Sequence, residues 1–319
     1  MKISSIFKSA IVASAIVGGI AQADPVYVAT TAIVEHPALD AVRDGIKATL
    51  NENGYKGDKL KFTYESAQGK TDIAAQIARK MVGEQPDVIV AIATPSAQAA
   101  VTASDSIPIV FSAVTDPVGA RLVPSLKKPG GNVTGLSDMA NIKEHFSLIK
   151  EFLPNLKTIG IPYNPGEANS VSMLVQAKKV AAEMGIKIVE APAPRTSDVM
   201  IATKQLVGKV DAIYTPIDNT IISAVESVVK VGIDAQIPVF AGDTDTVARG
   251  AVAAVGYDYF DLGRQTGEIV VRILKGEKAG DIDVKMAKGT NLFVNPKMAK
   301  LMGVSVPKAV LARATKIIE

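Results

Sequence analysis

Small hydrogen-bonding residues gather where the apolar runs of this chain end. Thr30 and Thr31 lie at the first such strand–loop passage; Thr94, Ser96 and Gln98 open a helical segment; Ser112, Thr115 and Asp116 follow the next run. The second half repeats the habit with Asn164, Glu167, Asn169 and Ser170, then Asp218 and Asn219, then Asp243. A helix N-terminus carries free N–H groups and partial positive charge, so Ser or Thr there can hold a carboxylate. An acidic side chain opposite can pair an ammonium. Both halves supply carboxylates and neither places an Arg at these positions, so the set suits a zwitterion better than a phosphate. Ser, Thr, Asp and Asn are also the usual helix caps, so the set as a whole carries the reading and no single member does.

Catalytic groups are scarce. Of the two histidines, His145 sits in a helical segment with charged Lys143 and Glu144 and reads as a solvated surface residue. His36 ends the first strand at the lip of the expected cleft and reads as a helix-entry cap. No phosphate-binding Walker sequence, no G-x-S-x-G elbow and no H-E-x-x-H pair occurs. The absence of Cys excludes disulfides, thiolate metal sites and thiol nucleophiles. No basic stripe with interleaved aromatics favours nucleic acid. No enzyme, cofactor or metal site is expected.

Alternating strands and helices must position these residues. Strand-like runs cover 26–34, 60–67, 87–93, 108–114, 158–163, 187–190, 210–214 and 238–241, with helical segments starting at Pro37, Thr71, Thr94, Ala168, Ser197 and Ile221. The run DVIVAIA at 87–93 has the unbroken apolar character of a strand buried on both faces of a parallel sheet. Strands separated by helices indicate right-handed βαβ units and a doubly wound α/β architecture.

The pattern occurs twice. Asp87 to Pro95 (DVIVAIATP) has a partner in Asp211 to Pro216 (DAIYTP); each precedes a helix and then an Ile-Pro strand, at 107–111 and 237–240, and each copy reaches Thr-Asp at 115–116 and 244–245. Two like lobes joined by a multi-strand hinge follow, with a ligand site beyond the carboxyl ends of the strands. The expected division is 24–138 plus 252–280 for the first lobe, and 139–251 plus 281–319 for the second. Crossings of this kind suit hinge closure around a ligand.

At 319 residues the chain also exceeds what one core usually serves. Its net charge of +3 owes much to the first 23 residues. There Lys2 and Lys8 precede a charge-free apolar run, 10–21, and Ala21-Gln22-Ala23 forms a small-x-small cleavage site. That run is too short to span a bilayer. Cleavage after Ala23 leaves 33 basic against 32 acidic residues. Export to a periplasm as a freely diffusing monomer is the expectation.

Several stretches resemble the substrate-binding components of ABC transporters typified by the tryptophan-transport binding proteins. They are TAIVEHPALD at 31–40, DVIVAIATPSAQ at 87–98, IPIVFSAVTDPVG at 107–119 and GGNVTGLSD at 130–138. NPGEANS at 164–170, IDNT at 217–220, FAGD at 240–243 and GYDYFDLGRQ at 256–265 continue the likeness over essentially all of the mature chain. The resemblance implies a type I periplasmic-binding fold that delivers an amino acid, aromatic in type, to a membrane permease. By position, Thr94, Ser96, Ser112 and Thr115 would hold the ligand from the first lobe, and Asn164, Glu167, Asn169 and Ser170 from the second. Asp218 and Asp243 are both candidates for the ammonium partner. Tyr163, Phe111 and Tyr257 could line the cleft, with core packing the stronger claim on Phe111. Many relatives carry a lipid-anchoring Cys that this chain lacks. The same fold also serves periplasmic sensors and co-receptors and binders of sugars or nucleosides, which are the alternative readings.

Overall fold

The apolar runs form strands that sort into two sheets. The computed structural model describes residues 24–319, so the expected signal peptide and its cleavage site lie outside the described residues. The strands are β1 (Val26–Ala32), β2 (Leu60–Ser66), β3 (Val88–Ile92), β4 (Ile109–Ser112), β5 (Val133–Ser137), β6 (Thr158–Tyr163), β7 (Lys187–Pro192), β8 (Ala212–Thr215), β9 (Val239–Ala241), β10 (Ala253–Gly256), β11 (Lys285–Met286), β12 (Asn291–Val294) and β13 (Lys316–Ile317). One sheet runs β2-β1-β3-β4-β5-β11, with every neighbouring pair parallel. The other runs β7-β6-β8-β9-β10-β12-β13 and is parallel except where β12 turns back against β10.

In each sheet the first five strands stand in the order 2-1-3-4-5, the doubly wound arrangement whose crevice opens at the carboxyl ends beside the first strand. The internal repeat is therefore a repeat of topology: β3 matches β8, β4 matches β9 and β5 matches β10. Each sheet has its own core. Val88, Ile89, Val90, Ala91 and Ile92 of β3 are fully buried in the first, and Ile213, Tyr214 and Val239 lie in the second.

Two boundaries differ from those expected. The strand β10 lies in the second sheet, paired with β9 and β12, and not in the first lobe. The segment after Asp281 does not pass at once to the second lobe, because β11 pairs with β5 and Ile282, Val284 and Ala287 join the first core. The reason is topological: each doubly wound sheet completes itself with its own fifth strand, and only then does the chain cross. The helices that follow these fifth strands are exchanged. The helix Ile142–Phe152, after β5, packs in the second core, whereas Tyr259–Leu274, after β10, packs in the first.

That exchanged helix fits the first lobe because glycines remove side chains at its contact with the helix Pro37–Glu52. A Cβ on Gly45 would land on the Phe260 carbonyl oxygen, and one on Gly263 on that of Val42. The close approach fixes the start of both helices, where His36 and Tyr259 stand. Among the described residues, no helix is long and apolar enough to cross a membrane.

Candidate ligand-binding site

Residues just beyond the carboxyl ends of both sheets meet in one cavity between the lobes. His36, Thr94, Thr115 and Asp138 come from the first lobe; Asn169, Asn219 and Asp243 come from the second. Ala38, Leu39, Ile217 and Ile222 supply apolar wall, and Tyr259 stands at the hinge side. The space inside the cavity is only about 10 Å³, room for about one water molecule. A wider mouth of about 550 Å³ shares Asn219 with it and is lined by Lys70, Asn164, Glu167 and Arg195 among others. Ala93 and Ala113, at the ends of β3 and β4, line the cavity with φ of 72° and 52°. Left-handed backbone at a non-glycine residue costs energy and concentrates at functional sites.

The cavity gathers buried carboxylates from both lobes. Asp138 is completely buried and accepts hydrogen bonds from the Tyr259 hydroxyl at 3.1 Å and the Thr115 hydroxyl at 3.2 Å. Burial raises its pKa to about 6, against those two hydrogen bonds, and the charge of Asp243 adds to the rise. Asp243 accepts from the Thr246 amide at 2.8 Å and hydroxyl at 2.7 Å, and burial likewise raises its pKa. Asp245 beside it is raised to about 6 by burial and by Asp243. This concentration of buried carboxylate favours a cation.

In and near the cavity lie polar groups that make no hydrogen bond. The hydroxyls of Thr31, Thr94 and Ser96, both ring nitrogens of His36 and Oδ1 of Asn169 are buried without a partner. Buried polar groups are nearly always satisfied, so a cluster of exceptions around one cavity marks a place where a ligand completes them. Thr94 starts the helix Thr94–Ala103, whose N-terminal dipole adds positive character. Thr31 and Ser96 are buried nearby in sequence but do not line the cavity.

A second set of residues holds the first in place. Glu167 accepts from the Asn219 side chain at 2.6 Å, the Thr220 hydroxyl at 2.8 Å and the Asn169 side chain at 3.1 Å. It thereby orients two of the cavity residues. Asp218 accepts from the Asn164 amide and the Ser170 hydroxyl, each at 2.6 Å, and from the Ile221 amide at 2.9 Å, capping the short helix Asn219–Ser223. Burial first, then the charge of Glu167, raises its pKa to about 7.

The residues expected in the site thus divide. Thr94, Thr115, Asn169, Asn219 and Asp243 reach the cavity; Asn164 and Glu167 reach its mouth. Ser112 instead bonds Thr266 at 2.7 Å within the first lobe. Ser170 and Asp218 bond each other, and Asp116 accepts from Ser172 of the other lobe at 3.1 Å. Phe111 is core, and neither Tyr163 nor Tyr257 lines the cavity; the Tyr257 hydroxyl donates to the Met139 carbonyl at 3.0 Å.

Both histidines depart from expectation. His145 is buried and bonds the Tyr214 hydroxyl at 2.7 Å. Its spacing from Ile142 and Ile149 puts it on the apolar face of its helix, a signal that its charged neighbours obscured. His36 occupies the cap position before Pro37, but its side chain makes no capping bond. Asp138, Tyr259 and His36 are the polar cavity residues that sequence reasoning did not count among the ligand-binding set.

Comparison with known proteins fits this geometry. The chain matches the ABC transporter substrate binding protein family over residues 27–318. It is 41% identical over 271 residues to a tyrosine-binding protein of Clostridioides difficile strain R20291, covering 85% of this chain and 79% of that one. It superposes with a TM-score of 0.90, at 36% identity and over 92% of its length and all of the other, on an ABC domain from Streptococcus pneumonia in complex with L-Trp. On the ligand-free, open structure of a Clostridium difficile substrate binding protein with adhesive properties the TM-score is 0.71, at 38% identity over 92% of this chain and 99% of that one. Near-equal identity with unequal superposition places the present lobes closer to the L-Trp-bound arrangement, in agreement with the Asp116–Ser172 bond across the gap. The chain belongs to the ABC transporter substrate-binding protein family.

Proposed function

We propose that the protein binds an aromatic amino acid between its lobes, closes on it and presents it to an ABC permease. The observation that carries this reading is the make-up of one cavity, which gathers buried carboxylates and, at a helix N-terminus, an unpartnered hydroxyl. Asp138 and Asp243 take the ammonium, Thr94 and the start of its helix take the carboxylate, and Leu39, Ile217 and Ile222 flank the side chain. Asp218 is excused from ligand contact by its three local donors. The tyrosine-binding and L-Trp-bound relatives support this ligand class.

The lobes are 24–138 with 258–287 and 139–257 with 288–319, turning on three crossings. The exported protein is a periplasmic monomer that starts at Asp24 and serves transport without turnover of its ligand. Isothermal titration of purified protein with L-tryptophan, L-tyrosine and a hexose tests the ligand class. Saturable binding of either amino acid and none of the hexose is expected. Hexose binding with no response to amino acids would overturn the reading.

A further inference from the structure

We propose that His36 and Asn169 together read a hydrogen-bond donor on the ligand's ring, so that the protein takes tyrosine and tryptophan and rejects phenylalanine. The proposal rests on the amino-acid reading above and adds the feature by which aromatic side chains are told apart.

The two side chains come from opposite lobes and line the same cavity. His36 is 8% exposed and Asn169 3%. Neither ring nitrogen of His36 has a hydrogen-bond partner. Burial, with the positive charge of Arg249 second, lowers its pKa to about 4, against an approach of the Asn219 side chain that falls short of a well-formed hydrogen bond. At neutral pH the imidazole is therefore uncharged, with one N–H and one lone pair.

Asn169 has its amide nitrogen occupied: Nδ2 donates to Glu167 at 3.1 Å and to the Ile217 carbonyl at 3.1 Å. Those two bonds fix which end of the amide is which, and the remaining end is an acceptor. Its Oδ1 is buried and unpartnered. An acceptor from each lobe thus awaits a donor in a cavity that Leu39, Ile217 and Ile222 also line.

A phenol O–H and an indole N–H are such donors at the edge of an apolar ring. A phenyl ring offers no donor and would leave both acceptors unpaired, whereas the single O–H or N–H is donated to one of them or shared between the two. Sites built to bond a ligand O–H or N–H reject the analogue lacking it far more strongly than apolar pockets sort by size. The two relatives named for their ligands carry tyrosine and L-Trp, both of which possess this donor.

Isothermal titration of the exported protein and its variants with L-tyrosine, L-tryptophan and L-phenylalanine provides the test. In the unaltered protein, tyrosine and tryptophan are expected to bind at least about 50-fold more tightly than phenylalanine. In His36→Phe/Asn169→Leu the preference collapses to within about threefold, through loss of tyrosine affinity with phenylalanine affinity held or improved. His36→Gln, which keeps an acceptor, retains most of the preference and guards against misfolding of the double variant. Equal affinity for the three amino acids in the unaltered protein overturns this proposal alone. So does an equal loss for tyrosine and phenylalanine in the variants, which would assign His36 to the ligand's main-chain groups. Binding of none of the three overturns the amino-acid reading as well.

Discussion

The Tyr259 hydroxyl donates to the Asp138 carboxylate at 3.1 Å, joining the last residue before one crossing between the lobes to one of the first after another. The same carboxylate faces the cavity. Ligand charge and hinge geometry therefore meet at one buried group, and a cation placed there acts on the segments that turn when the lobes move. A ligand shifts such an equilibrium only by its difference in affinity for the two states.

Binding should depend on pH through this group. Burial raises the Asp138 pKa to about 6 in the ligand-free protein, and an ammonium ligand favours the ionised form. Below pH 6 binding must first expel a proton, so affinity for L-tryptophan falls about tenfold between pH 7.5 and pH 5. The sign for stability is opposite. A carboxylate whose pKa is raised on folding contributes most below its unfolded value of 3.8, and that contribution is lost as pH rises through about 6. Asp138→Asn should thus weaken binding at least tenfold at pH 7.5, flatten its pH dependence, and leave the ligand-free protein about 1 kcal/mol more stable. Titration calorimetry and ligand-free melts across pH 5–8 measure all three; an unaltered pH profile in the variant would remove Asp138 from the site.

Asp218 is expected to act on local order more than on affinity. In Asp218→Ala the Asn164 and Ile221 amides and the Ser170 hydroxyl lose their acceptor. Losing a capping acceptor costs about 0.5–2 kcal/mol locally, so hydrogen exchange at the Asn164 and Ile221 amides should accelerate about tenfold. Affinity for L-tryptophan should change by less than that. A variant whose amides stay protected while binding is lost would return Asp218 to the ligand.

Much of this fold is legible in the sequence, and its limits have physical causes. The run from Val88 to Ile92 announces a central parallel strand because both faces of it are buried. The Thr-Pro and Ile-Pro repeats announce two lobes because each sheet is built in the same order. The apolar run around Ala253 says only that a strand is buried, and two sheets of one design can each accept it. Asp218 and Asp243 look alike in sequence, yet three donors occupy the first and leave it outside the cavity, while the second lines it. The surroundings of His36 include Asn169, Ile217 and Asn219 of the second lobe, which no local pattern around His36 announces. Local pattern reveals which residues end strands, but the partners those residues find are set by tertiary contact.

The Ser172 hydroxyl donates to Asp116 at 3.1 Å across the gap, and Asp116 also accepts from the Gly119 amide at 2.8 Å. Ser172→Ala removes the cross-lobe bond alone and leaves the turn intact. A net hydrogen bond is worth about 0.5–1.5 kcal/mol, so affinity for L-tryptophan should weaken by about 2–10-fold, mainly through faster release. Small-angle scattering should give a larger radius for the ligand-free variant than for the unaltered protein. Identical scattering and identical release rates would show that the bond does not hold the lobes together.

Gly45 should tolerate no side chain. Its Cβ would strike the Phe260 carbonyl, and the neighbouring contact at Gly267 already places a hypothetical Cβ 2.6 Å from that of Thr49. Backbone meets backbone along this seam, so relief requires moving one helix away from the other. Overpacking of this kind costs about 1–3 kcal/mol, a fall of about 2–4 °C in melting temperature per kcal/mol for a chain of this size. The displacement reaches the cavity, because the two helices begin beside His36 and at Tyr259. Gly45→Ala is therefore expected to lower both thermal stability and affinity for L-tryptophan. Gly83→Ala is the control: it ends the helix Thr71–Gly83 with nothing within 4 Å of the added methyl and no left-handed backbone. Alanine generally favours a helix over glycine, so the control should melt no lower than the unaltered protein and bind as it does. Equal melts for the Gly45 and Gly83 variants would mean that the two helices separate without cost, and the seam would then not be what positions His36 against Tyr259.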